Sequence, residues 1–180
     1  MVSGGRVHST LARDLPDDLS PPAGPVRAAR ATLFHVVGGG KYYQTLSGYQ
    51  RAVSLAGPAA PGPEAVEADA SLQKLHALRS QRVFVGPHNE ADVERGCAKL
   101  DFPPEARPAG DEGVAENTQQ LFALCKHHGV NHLIYFGFAI NWCLFMSSGG
   151  MLDMSRHGVM CSAIRQATTA VENRESARHE

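Results

Sequence analysis

The sequence has few cysteines, and no two of them stand close together. Cys97, Cys125, Cys143 and Cys161 are the four in 180 residues. They are too widely spaced for a structural zinc site and too few for the disulfide framework of a small secreted fold. A reducing, cytoplasmic setting is expected, with no metal and no cofactor. An excess of charge of one sign is also missing: a formal net charge of −1 gives no field for nucleic acid or an anionic membrane surface, so neither is expected as a partner. The stretch Met1 to Asp18 lacks the apolar core of a signal peptide. The most apolar window, 130–146, is short for a membrane span and carries His132, Gly137 and Asn141, so it reads as buried core. A phosphate loop is absent too. Gly38-Gly39-Gly40-Lys41 follows a predicted strand, but the glycine spacing fails and Tyr42 stands where a magnesium-binding hydroxyl belongs.

What is present suits one soluble globular domain, with 43% hydrophobic and 19% charged residues,. Residues 1–24, rich in Gly, Pro, Asp and Ser, are predicted to be poorly ordered or divergent, and 25–180 to form the domain. Ser20-Pro21-Pro22 suits the start of a short helix running through Val26 to Arg30. Thr32 to Val37, rich in β-branched and aromatic residues and closed by three glycines, reads as a strand. From Lys41 to Ala70 the chain is loop-like, and Tyr42, Tyr43 and Tyr49 either line a pocket or pack on the core. A helix is predicted over Ala65 to Arg79, a short strand over Arg82 to Val85, and a mixed segment over Gly96 to Phe102, where Lys99 by itself reads as a surface lysine. The spacing predicts a helix over Asp111 to Gly129, starting at Asp111 or Gly113, with Gly129 as its C-cap. His127, His128 and His132 do not make a metal site, because adjacent helical residues point about 100° apart.

The organising stretch follows. Val130 to Phe136 has the near-continuous apolar character of a buried parallel strand. The chain then turns through Gly137-Phe138-Ala139-Ile140-Asn141-Trp142 and presents Cys143 where Leu144, Phe145 and Met146 start a predicted helix. A cysteine just beyond a strand and near a helix N-terminus is favoured as a thiolate. Ser147-Ser148-Gly149-Gly150 interrupts the helix, Met151 to Arg156 resumes it, His157-Gly158 stops it, and Val159 to Ile164 reads as a further strand. Helix, strand, helix, strand in this half implies a parallel sheet and a three-layer α/β/α sandwich with a mostly parallel central sheet.

The run Gly129 to Cys143 resembles the nucleophile strand and turn of the isochorismatase-like cysteine hydrolases, which include nicotinamidases and carbamoylsarcosine amidases. Arg156-His157-Gly158-Val159 and Ala167-Thr168-Thr169-Ala170 resemble the family's following strand and loop, and Lys99 its catalytic lysine. The resemblance runs from Pro25 to Arg174 and is strongest from Gly96 onward. It implies hydrolysis of a small amide or related carbon–nitrogen bond through a thioester on Cys143, with Lys99 holding the triad's charges. It further implies an oxyanion hole from the backbone N–H groups of Ala139 and Cys143, a cis peptide between Phe138 and Ala139, and pocket walls from Tyr42, Tyr43, Asn141 and Trp142. The chain departs from the family at three points. The first strand with its catalytic aspartate is not evident, and Asp14 is the only positional candidate. Asn141 stands where an acidic residue is common, and the chain ends before the usual final helix and strand. The alternative expectation is a shortened, catalytically silent homologue that binds a small molecule or forms a homo-oligomer.

Overall fold

The computed structural model describes residues 23–59, 61–62, 64–83 and 87–173. In chain order its elements are α1 (Ala23–Ala28), β1 (Phe34–Val36), α2 (Ser47–Ala56), α3 (Ala70–Arg82), α4 (Pro87–Cys97), β2 (Gly113–Ala115), α5 (Thr118–His128), β3 (His132–Gly137), α6 (Met151–Arg156) and β4 (Met160–Thr168). The described residues fall into two compact units. One takes in Gly39–Tyr42 and those of Ala60–Asp101, the other those of Pro16–Gly38, Tyr43–Ala59 and Phe102–Glu180.

The second unit holds the core. β1 pairs with β2 in parallel, His35 opposite Val114, and β3 pairs with β4 in parallel, Leu133 opposite Cys161. The architecture is therefore mixed α/β, with two parallel sheets of two strands each among the described residues. α5 anchors the packing. Asn117 caps it by accepting from the Gln120 N–H at 2.9 Å, and Gly129 ends it in the left-handed conformation, φ 67°, which glycine alone adopts without strain. Lys126, His127 and His128 occupy the last turn, where the negative end of the helix favours them,. Leu121, Leu124 and Cys125 point inward and meet Ala52 of α2, Ala115 of β2, Met154 of α6 and Val159 in one cluster, with Phe34, Leu133 and Cys161 packed on it.

In this unit three expectations differ from the structure. The predicted helix over 111–129 begins only at Thr118, because Gly113–Ala115 is taken by β2, buried throughout. The segment 41–70 contains α2, whose buried residues are Gly48 and Ala52. The helix predicted from Leu144 is cut short: Ile140–Leu144 is a five-residue π turn, only Phe145 and Met146 continue it as helix, and the next helix is α6. Gly149, at φ 79°, turns the chain out of helical conformation, and Gly150 packs tightly on the turn: a Cβ there would lie 2.8 to 3.0 Å from the carbonyl oxygens of Ser147, Leu144 and Phe145.

In the other unit α3 starts at Asp69, whose carboxylate accepts from the Leu72 N–H at 2.8 Å. α3 and α4 bury none of their residues. α4 takes in Gly96 and Cys97, the first two residues of the segment predicted as mixed, and Arg82 closes α3 rather than opening a strand. Phe84 and Val85, the cap at Ser20-Pro21-Pro22, and residues 1–24 apart from Ala23 and Gly24 of α1 lie outside the described residues.

Candidate functional site

The site is built at the carboxyl end of β3. Apolar residues carry that strand out of the core to Gly137, whose φ of 122° turns the chain. The Phe138–Ala139 peptide that follows is cis. Ala139 is 6% exposed, and its N–H donates to no acceptor among the described residues, while its carbonyl accepts from the N–H groups of Trp142 and Leu144, both at 3.1 Å. Those two bonds close the π turn and leave Cys143 exposed on it. The Cys143 carbonyl accepts from the Ser147 N–H at 3.3 Å and from the Ser147 hydroxyl.

Hydrogen bonds seat this turn on its neighbours. Tyr135 of β3 donates its hydroxyl to the Gly149 carbonyl at 3.0 Å, and burial pushes that hydroxyl's pKa up. The Gly149 N–H donates to the Thr118 hydroxyl at 2.8 Å, which in turn donates to Asp153 at 2.8 Å, so the segment following the turn, the start of α5 and α6 share one network. On the other side, the Thr169 N–H donates to the Gly137 carbonyl at 3.0 Å and the Ile140 N–H donates to the Thr169 carbonyl at 2.7 Å.

The predicted site residues are distributed as follows. Ala139, Asn141, Trp142 and Cys143 lie together on the π turn and its entry. Trp142 is 60% exposed, an apolar surface beside the thiol. Asn141, expected in a pocket wall, has both ends of its amide bonded to the backbone of Val171, at 2.9 Å each. Tyr43 is likewise committed elsewhere. It is 3% exposed, stacks edge-on against Tyr49 with ring centroids 5.2 Å apart, and donates its hydroxyl to Glu116 at 2.8 Å. Tyr42 and Lys99 belong to the other unit. There burial raises the Tyr42 hydroxyl's pKa, and Lys99 is exposed just beyond α4. Asp14 lies outside the described residues.

Two carboxylates that sequence patterns did not single out are the most heavily bonded acidic groups of this unit. Glu112 accepts from Arg27 Nε at 2.6 Å and Nη2 at 2.8 Å, from the Ala109 N–H at 3.0 Å, and pairs with His35 Nε2 at 2.8 Å. Arg27 above all, then these other bonds, hold its pKa down at about 2. His35, by contrast, is pushed below its ordinary value by burial. Glu116, directly after β2, accepts from Tyr49 at 2.6 Å, Tyr43 at 2.8 Å and Gln120 at 3.3 Å, which lowers its pKa, the Tyr49 bond most. One signal was available: a histidine inside the apolar run Leu33 to Val36 needs a polar partner. The partner's position, 77 residues away, was not readable.

No metal site emerges among the described residues. His132 bonds to the Ser162 hydroxyl at 2.8 Å, the His128 ring packs on Phe34, and the His127 and His128 rings lie 4.9 Å apart. No described helix is long and apolar enough to cross a membrane. These elements define a mixed α/β protein with short parallel strands. No family model, no curated protein and no solved structure matches the chain.

Proposed function

We propose that the chain is an isochorismatase-like cysteine hydrolase that cleaves a small amide or related carbon–nitrogen bond, with Cys143 as nucleophile. One observation carries the reading: an exposed thiol sits in a tight turn just beyond the carboxyl end of a parallel strand, beside the buried Ala139, whose N–H has no partner among the described residues. Ligands of open α/β sheets gather at that edge. The sulfur attacks the amide carbon, and the N–H groups of Ala139 and Cys143 take the developing oxyanion. The amine leaves with a proton, and water cleaves the thioester to release the acid and restore the thiol. One oxyanion donor of this kind is worth about 3 to 4 kcal/mol. In this reading Trp142, exposed beside the thiol, walls the pocket. The full fold is the three-layer α/β/α sandwich, and the setting is cytoplasmic.

The test is ammonia or amine release from a panel of small amides, with mass spectrometry of the quenched enzyme. Turnover of a panel member is expected to fall by roughly 10⁴-fold or more in Cys143→Ala, and an acyl adduct is expected on Cys143 of the unaltered protein. Turnover that survives Cys143→Ala, or an adduct on another residue, contradicts the assignment.

A second reading, a catalytically silent homologue that binds a small molecule or forms a homo-oligomer, draws on β3 and β4. Parallel sheets are ordinarily covered on both faces, yet Ile134 is 56% exposed. A second copy covering that face predicts a dimer or larger species in sedimentation at micromolar concentration, and a compact monomer contradicts it.

A further inference from the structure

We infer that Asn141 is a positioning residue for Cys143, acting through the segment that follows β4. The inference rests on the reading of Cys143 as nucleophile. Asn141 lies two residues before the cysteine on the π turn, and its side chain behaves like a short piece of strand. Nδ2 donates to the Val171 carbonyl at 2.9 Å and Oδ1 accepts from the Val171 N–H at 2.9 Å. Two residues earlier the Thr169 peptide does the same for the entrance of the turn, donating to Gly137 at 3.0 Å and accepting from Ile140 at 2.7 Å. Four bonds thus fasten Thr169 to Val171 along the turn, one on each side of Phe138–Ala139 and two at Asn141. The turn has little else to hold it from that side. Trp142 is exposed and Ile140 and Leu144 are only half-buried, so packing alone does not fix its backbone, and among the described residues the Cys143 carbonyl is held by Ser147. A side chain satisfied at both its donor and its acceptor by one residue's backbone specifies a single geometry, since moving the turn breaks both bonds together.

The amide, and not merely a polar group, is required. A carboxylate at 141 retains the acceptor for the Val171 N–H but sets an oxygen against the Val171 carbonyl, where the structure has a donor. The C-terminal segment 169–171 is thereby part of the cysteine's site, although it contributes no side chain to the thiol.

The experiment measures, in the intact protein, the iodoacetamide reaction rate of Cys143 from pH 5 to 9, with the exposed Cys97 as internal reference, alongside hydrogen exchange of the Val171 amide. In Asn141→Ala the Val171 amide is expected to exchange at least about fivefold faster, and the Cys143 rate to fall severalfold toward that of Cys97 with its pH profile moved, Cys97 staying unchanged. Val171→Pro removes the same N–H from the other side at an exposed position, and it should reproduce the Cys143 effect. The double variant should add nothing further, because both changes break one pair. Asn141→Asp should keep the Val171 amide protected yet slow Cys143. An unmoved Cys143 rate and profile in both Asn141→Ala and Val171→Pro, with Cys143 still faster than Cys97, overturns the positioning role alone. A Cys143 no faster than Cys97 in the unaltered protein overturns the nucleophile reading, and the positioning role with it.

Discussion

Gly48→Ala is expected to destabilise the protein by about 3 kcal/mol, the upper part of the range for overpacking a well-packed site. Gly48 is buried at the start of α2, where the helix lies directly on the chain entering β2. A Cβ added there would stand 1.9 Å from the Glu112 carbonyl oxygen and 2.9 Å from its carbonyl carbon. Both are backbone atoms of the strand's approach, so no side chain can rotate away. α2 must lift by roughly 1 Å to restore contact distances, and the lift strains the bonds from Tyr43 and Tyr49 to Glu116. The gain in helix propensity from glycine to alanine, about 1 kcal/mol, opposes this and is smaller. Gly113→Ala is the matched comparison. Its Cβ would meet methyl and ring-edge atoms of Leu124 and Phe34 at 2.8 and 2.9 Å, ends of side chains that can move, so the cost should be smaller. Denaturant midpoints of the two variants check this, and equal losses would contradict the backbone contact as the cause.

Glu112→Gln should cost about 3 kcal/mol at pH 7 and almost nothing near pH 2, the former figure being the free energy equivalent to a carboxylate pKa held at about 2 rather than 4.5,. The sign follows from which state binds protons. With a depressed pKa in the folded protein, the stabilisation is fully present above pH 4.5 and is lost as the pH falls through about 2. His35 acts in the same direction and earlier. Its folded pKa is lowered by burial, so the unfolded chain takes up the proton first and stability begins to fall below about 6.5. The Glu112 carboxylate is only 16% exposed, so solvent screens the pair weakly, and the glutamine would present N–H donors to the Arg27 donors it replaces an acceptor for. Urea titrations at pH 7 and pH 2.5 decide the matter: a cost that is the same at both values would mean that packing, not charge, is what Glu112 supplies.

The elements best readable in the sequence were those whose own residues carry the signal. β3 is an apolar run, Gly129 a helix stop, and Met151 to Arg156 a short helix between glycines and His157-Gly158, and each appears within a residue or two of its expected place. β2 was not legible because Gly-Val-Ala is three residues long and buried at every position, so it has no alternation to detect. α2 escaped notice for a related reason: it packs through Gly48 and Ala52, small residues that add almost nothing to an apolar pattern but allow close approach. Serines and glycines after Cys143 weakened the helix expected there, and Gly149 in a positive-φ conformation turns the chain away from it. Within the candidate site, Cys143 and its turn were marked by strand and turn chemistry. The part played by Asn141 was hidden, since its partner Val171 lies 30 residues further along the chain, and no local spacing encodes that pairing.

The most direct test of the central claim is the iodoacetamide reaction of the four thiols in the folded protein near neutral pH, followed by peptide mapping. Burial pushes the Cys125 thiol up to about 11 and raises that of Cys161, so both should react slowly whatever the function. The comparison that matters is between Cys97 and Cys143, which are both exposed. If the turn beyond β3 activates its cysteine, Cys143 is carbamidomethylated at least about ten times faster than Cys97, as thiolate character governs the rate. Equal rates at these two exposed positions would contradict the assignment of Cys143 as a nucleophile.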